Sequence, residues 1–237
     1  MNVASITEMW DRLTGTQTAP SHWLVGATAL IALAAVTVRG LWHVTRNAVT
    51  IAHEGGHGLL ALLTGRRLQG IRLHSDTSGL TVSKGRPHGP GMVLTAAAGY
   101  TAPPLLGLAG AGLLTAGHIT ALLWGATALL LLMLVMIRNA YGALTVVITG
   151  ALFLLVSWLT KAQVQAAFAY LVVWFLLLGG ARPVAELQSS RRRDRSGSSD
   201  ADQLARLTHT PAALWLLLFY VVALCSLFAG GRWLLVR

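Results

Sequence analysis

Seven apolar runs divide this chain, and most approach the ~20 residues that a helix needs to cross the hydrocarbon of a bilayer. They are His22 to Val38, Val44 to Thr64, Met92 to Ala116, Ile119 to Ile137, Leu144 to Trp158, Ala166 to Leu187 and Ala212 to Ala229. Lipid offers no partner for a free backbone N–H or C=O, so runs of this length are expected to be helices. The expectation is therefore an all-α polytopic membrane protein, a bundle of about six to seven transmembrane helices forming one domain over residues 1–237. Seven is the best count, and six follows if the second run enters without crossing. Residues 1–21 form an N-terminal segment. Its Glu8, Asp11 and Arg12, followed by a long polar stretch, do not fit a cleavable signal, so the first span is expected to be retained. The single cysteine, Cys225, makes no internal disulfide and supplies no Cys-x-x-Cys site.

The second run is less hydrophobic than the others and contains His53-Glu54-Gly55-Gly56-His57. On a helix, imidazoles four positions apart share a face and can grip one Zn²⁺, while the carboxylate between them can act on a metal-bound water. Eight histidines and three glutamates in 237 residues predict on the order of 0.003 such matches by chance. Arg46, Asn47, Thr50, His53, Glu54 and His57 recur at spacings of three and four. That polar stripe should face the bundle interior or a hydrated cavity, because ionisable groups are costly against lipid. A packed histidine pair without metal is the weaker alternative, since it leaves many buried polar atoms to satisfy.

A catalytic zinc takes three protein ligands, so a third must come from elsewhere. The chain has only eight acidic residues, which keeps the choice short. Asp76 lies in Ser75-Asp-Thr-Ser-Gly79, where an Asx turn is the simpler reading. Glu186 and Asp194 stand near arginines and can pair with them. Asp200 and Asp202 precede the last apolar run, and Asp200 could also cap a helix there, with Gln203 completing a capping box. His43, His74, His88, His118 and His209 are weaker candidates, expected at interfaces or in solvent. Residues 68–83 alternate apolar and polar side chains around the Ser75–Gly79 turn and predict a short surface β-hairpin. Residues 189–203, with three consecutive arginines and a Ser/Gly run, predict a flexible basic loop.

The net charge of +10 raises nucleic acid as a partner, but the basic residues lie mostly between apolar runs. Lipid headgroups and membrane topology account for them more simply, so the partner expected from charge is the lipid bilayer, with no nucleic acid. With seven spans, the arginine-rich loops after the second and before the last fall on one side, which the positive-inside rule assigns to the cytoplasm of a multi-pass cell-membrane protein. Arg39, Arg46 and Lys161 are exceptions in that scheme. The histidines then lie roughly 12–18 Å from the cytoplasmic helix end near Gly65, within the bilayer but reachable by water from that side.

The chain resembles the site-2-protease-type intramembrane zinc metalloproteases, in particular their compact branch without a PDZ domain. The resemblance rests on Ala52-His-Glu-Gly-Gly-His-Gly58, on Ser78-Gly-Leu-Thr81 in the basic hairpin, on Ala98-Gly-Tyr-Thr-Ala-Pro103, on Arg138-Asn139 and on Ser199-Asp-Ala201. Only the first of these is highly specific, and the chain lacks the Asp-Gly pair that the larger family carries inside a membrane helix. The resemblance implies a zinc endopeptidase that cuts a peptide bond in or near a transmembrane segment of another protein. Glu54 is then the general base, and His53, His57 and Asp200 bind the metal, with Asp202 the rival for the third position. Tyr100 or Asn139 could assist at the oxyanion, and Pro103-Pro104 is expected to break or kink the third span. The hairpin's edge could hold an unwound substrate as an added strand, or the hairpin could simply cover the site. A transporter or channel, or an inactive membrane scaffold, is the competing reading. The transporter predicts discontinuous helix pairs and internal repeats, and no convincing repeat is present.

Overall fold

The structure is a computed structural model that describes residue 11, residues 14–193, residue 197 and residues 199–236. Helices α1 (His22–Thr37) and α2 (Arg39–Leu63) lead into a hairpin, β1 (Arg67–Leu73) and β2 (Gly79–Lys84). Then come α3 (Pro90–Thr115), α4 (Ile119–Met136), α5 (Ala140–Leu159), α6 (Ala162–Gly179), α7 (Ala181–Arg193), α8 (Asp200–Thr208) and α9 (Ala212–Leu235).

Five helical units among the described residues are long and apolar enough to cross a membrane: α3, α4, α5, the α6–α7 unit and α9. A sixth crossing is available only if α1 and α2 act together, and they are bent by 100° at Val38. The count of seven is thus corrected to at most six. Helix α1, with 16 residues, is about 24 Å long and falls short of a ~30 Å hydrocarbon layer. Helix α2 carries the polar stripe and is too polar to pass as a span alone. The two apolar runs read as separate spans supply at most one crossing between them.

A polar staple holds the break. Arg182 donates to the Val36 carbonyl and lies over the Trp42 ring, 4.6 Å from its centroid. Trp42 Nε1 donates to Glu186 Oε1 at 2.8 Å, and Glu186 also pairs with Arg46 at 3.4 Å and Arg182 at 3.3 Å. Arg46, an exception to the charge rule in a seven-span scheme, therefore belongs to an internal cluster. Arg39 stands at the same bend.

Helix α2 runs antiparallel to α3, with Thr64 against Gly91 and Gly56 against Ala98 and Ala102. Helix α3 in turn runs antiparallel to α6, where Gly107 meets Leu177 and Gly110 meets Val173. Small residues let these backbones approach closely, which is how helices associate in a medium as apolar as their side chains. Helix α3 is continuous through Pro103 and Pro104, so the expected break is not seen, and Gly180 packs on the Pro104 ring. The backbone N–H of Gln17 donates to the Gly117 carbonyl at 2.8 Å, fixing the approach to α1 at the α3–α4 turn.

The hairpin expected over residues 68–83 is present. Ile71 and Leu73 are buried, while Leu80 and Val82 point outward. The alternation puts Gly79, Thr81 and Ser83 on the opposite, inward face of β2. The hairpin is moored to the α4–α5 turn: Arg138 N donates to Ile71 O at 2.9 Å, and Ile71 bridges Ile137 in parallel. Residues 189–203, expected as a flexible loop, are helical at both ends, in α7 up to Arg193 and in α8 from Asp200. Asp194 lies outside the described residues.

A second, smaller core positions α8. Ala201 and Leu204 are fully buried with Val184 and Leu187 of α7, Ala96 of α3 and Phe219 of α9. Element order then places the hairpin, the α4–α5 turn, the end of α7 and all of α8 at one end of the bundle.

Candidate metal centre

The α2–α3 packing brings the motif face against residues 95–100 of α3, and α8 closes the third side. His53 Nε2 and His57 Nε2 stand 3.1 Å apart, and each lies 3.3 Å from Asp200 Oδ2. Atoms bound at about 2.0–2.1 Å around a tetrahedral zinc stand about 3.3 Å from one another, so this triangle has the size of a zinc face. His57 Nδ1 faces the Thr95 carbonyl at 2.7 Å and must donate to it, which leaves the Nε2 lone pair for the centre. A lone pair, a second imidazole nitrogen and a carboxylate oxygen then converge, and a cation is what such a set of acceptors lacks. The residues present fit a metal ion. Among the described residues, His53, His57 and Asp200 are the group of His, Cys, Asp or Glu close enough to hold one.

Asp200 reaches the site because of how α8 begins. Ser199 is the N-cap: its Oγ accepts from Asp202 N at 3.3 Å, and Asp202 Oδ2 accepts from Ser199 N at 3.2 Å. The capping box is thus Ser199 with Asp202, not Asp200 with Gln203. That one-residue difference sets which carboxylate faces the histidines. Asp200, at the first helical position, is free to turn towards the histidines, whereas Asp202 is spent on the cap and on Arg191. Burial alone would push the Asp202 carboxyl up, but the Ser199 hydrogen bonds and the Arg191 charge outweigh it and hold the group below the ordinary range.

Glu54 is buried against the inward face of β2. Thr81 Oγ1 donates to its Oε2 at 2.6 Å. A Cβ on Gly79 would stand 2.5 Å from Glu54 Cγ, so only glycine lets the hairpin lie this close. Gly99 serves the metal side in the same way, since a Cβ there would fall 2.4 Å from His57 Nε2 and 2.6 Å from His53 Nε2. Tyr100 stands edge-on to His53, with ring centroids 4.7 Å apart, and stacks on Phe219 at 5.0 Å. The rest of the stripe is also inward: Thr50 Oγ1 donates to Thr77 O at 2.9 Å, and Asn47 Oδ1 accepts from Tyr141 OH at 3.5 Å.

The other candidates fall elsewhere. Asp76 makes the Asx turn, accepting from Ser78 N at 2.9 Å and Ser78 Oγ at 2.6 Å, and those bonds lower its pKa. Glu186 is held by Arg46, Arg182 and Trp42. His43 and His88 are exposed, His74 meets Ser78, His118 caps α4 and His209 closes α8 in the left-handed region. Asn139 is not free to assist at an oxyanion, because its amide is committed to the backbone of Leu73 at 2.7 and 3.2 Å. Thr81, Thr95 and Gly99 had no assigned role in the sequence reading. A carbonyl and a missing side chain leave no residue-type signal, and Thr81 acts across 27 positions.

Two imidazoles and a carboxylate stand inside an apolar helical bundle with a buried glutamate alongside, and the family match puts the chain in the class of membrane metalloproteases of the site-2-protease type. The chain belongs to the Peptidase M50B-like family, whose model matches residues 26–230. No curated protein and no solved structure matches the chain.

Proposed function

We propose that the protein is an intramembrane zinc-dependent endopeptidase acting on a membrane protein substrate. The observation that carries this reading is the convergence of His53, His57 and Asp200 to a triangle of zinc dimensions, with Glu54 one residue along the same helix. Zinc held there would supply Lewis acidity, polarising the scissile carbonyl and making water acidic enough to ionise near neutral pH. Glu54 accepts a proton from the attacking water as its oxygen bonds to the carbonyl carbon. It then gives that proton to the departing amine nitrogen as the C–N bond breaks.

A helical substrate hides its carbonyls in intrahelical hydrogen bonds, so it must unwind before it can be cut. The outer edge of β1 is occupied by residues 137–139 at Ile71 and Leu73, which leaves β2 as the open edge. A substrate added to β2 as a third strand runs beside Thr81 and Gly79, the residues in contact with Glu54. This favours the strand-adding role of the hairpin over mere cover.

Arg66, Arg67, Arg72, Lys84, Arg86, Arg138, Arg191, Arg192, Arg193 and Arg206 gather at the metal end of the bundle, against Lys161 and Arg232 at the other. With α1 and α2 as one broken unit, Arg39 and Arg46 no longer count against this asymmetry. The positive-inside rule then puts the metal end in the cytoplasm.

The test is zinc content beside cleavage of a single-span substrate in vesicles. Wild type should hold one zinc and cut. Glu54→Gln should hold zinc but lose about 10²–10⁴-fold in turnover. Zinc-free wild type, or Glu54→Gln cutting at the wild-type rate, would remove the reading, and solute flux without cleavage would turn it to a transporter.

A further inference from the structure

Strand β2 has two sides, and both bear on the chemistry. Its outer edge is open, whereas its inward face carries the one hydroxyl that touches Glu54. Thr81 Oγ1 donates to Glu54 Oε2 at 2.6 Å and stands 3.2 Å from the Glu54 carbonyl oxygen. A hydroxyl has a single proton to donate, and the shorter contact shows that the carboxylate receives it. One carboxylate oxygen is thereby fixed and the other is left for a proton in transit. The Glu54 carboxylate has no other hydrogen-bond partner among the described residues.

The hairpin is held in place by a side chain distant in sequence. Asn139 Nδ2 donates to Leu73 O at 2.7 Å, and Asn139 Oδ1 accepts from Leu73 N at 3.2 Å. An amide that both donates to and accepts from one residue mimics a neighbouring strand. Leu73 pairs with Gly79 across the hairpin, and Gly79 lies against the Glu54 side chain. A continuous set of contacts therefore runs from Asn139 through Leu73 and Gly79 to Thr81 and Glu54. Helices α4 and α5, which carry Asn139 between them, set the height of β2 above the metal centre.

We infer that Thr81 is a positioning residue for the general base, and that Asn139 positions Thr81 by tethering the hairpin to the α4–α5 turn. This rests on the protease reading and deepens it. The strand that receives the substrate is also the strand that aims the base, so pairing of the substrate and alignment of Glu54 occur on one element.

The decisive comparison is Thr81→Val against Thr81→Ser, with Asn139→Ala alone and combined with Thr81→Val. Removing an outer partner of a metal-site residue costs about 10–100-fold. Thr81→Val should lose that much in kcat, with KM and zinc content near wild type, since neither the substrate edge nor a metal ligand changes. Thr81→Ser keeps the hydroxyl and should restore turnover to within about fivefold. Asn139→Ala should lower kcat and should add little to Thr81→Val, because both variants act through one set of contacts. It should also speed amide exchange of the 71–81 segment, a reading that needs neither zinc nor substrate. Wild-type kcat in Thr81→Val, equal damage in Thr81→Ser, or unchanged exchange in Asn139→Ala would overturn the inference. Absence of cleavage by wild type would instead overturn the protease reading on which it rests.

Discussion

Two polar clusters sit inside this apolar bundle, and they differ in what meets their carboxylates. At the α1–α2 break, one carboxylate, Glu186, meets two guanidinium groups and an indole N–H, with a backbone carbonyl taking a further donor. The carboxylate charge is met there by arginines: Glu186 Oε1 accepts from Trp42 and Arg182, and Oε2 faces Arg46 at 3.4 Å without a hydrogen bond. At the other, the Asp200 carboxylate faces two imidazoles instead of guanidinium groups, and His53 Nε2, His57 Nε2 and Asp200 Oδ2 converge to 3.1–3.3 Å of one another. Three ligating atoms at that spacing fit a metal cation, whereas the Glu186 cluster already has its cations in Arg46 and Arg182. Polarity inside the bundle thus separates by which cation each carboxylate is given.

Loss of an acceptor from each cluster should give opposite results. Asp200→Ala should weaken zinc binding by more than about 100-fold, since a ligand matters more than the outer partners whose loss costs 10–100-fold. Cleavage should vanish while thermal stability of the zinc-free protein changes little. Glu186→Gln should leave zinc content at wild type. Metal analysis of the two purified variants decides the matter, and equal zinc in both would erase the distinction between the clusters.

Gly99→Ala sharpens the same contrast through space rather than charge. The added methyl would overlap both imidazoles at 2.4–2.6 Å, and it has α3 backbone behind it. Zinc content should fall to a small fraction of wild type, whereas Gly26→Ala on α1, with nothing within 4 Å, should be neutral or slightly stabilising. A Gly99→Ala protein with full zinc would show that the α2–α3 packing is looser than the site geometry requires.

For the Glu186 cluster the readout is stability. Glu186→Gln removes one charge from a pair that is about one-third exposed. Solvent screening reduces the interaction, so the expected loss is about 1–2 kcal/mol rather than the 3–5 kcal/mol of a fully buried pair. Thermal unfolding in a fixed detergent would show it, and no change would mean that Trp42 and Arg182 hold the bend without the carboxylate.

What could be read from the sequence was what lies close together along it. His53, Glu54 and His57 share one helical turn, and the hairpin declares itself by alternation and the Asp76 turn. The broken span was missed because apolar length counts residues and cannot register a 100° bend at Val38. The sequence offers Asn139 beside Tyr100 for the oxyanion and hides its structural role, because its partner, Leu73, is 66 positions away and is met through backbone atoms. The choice between Asp200 and Asp202 turned on the phase of a nine-residue helix, which composition does not fix.

That phase gives the smallest and most specific prediction. Asp202 closes the α8 capping box and pairs with Arg191, and its pKa is lowered in the folded protein. A carboxyl whose folded pKa is depressed stabilises the fold fully above its unfolded pKa, and the contribution is lost as pH falls through the folded value. Asp202→Asn should therefore cost about 1 kcal/mol near neutral pH, in the range of a lost cap, and progressively less below the ordinary aspartate range. Zinc should remain bound at pH 7, because Ser199 can still cap and Ala201 and Leu204 still anchor the helix. If Asp202→Asn instead stripped zinc as Asp200→Ala does, then the two aspartates would share the metal, and the assignment of one to the ion and the other to the helix would fall.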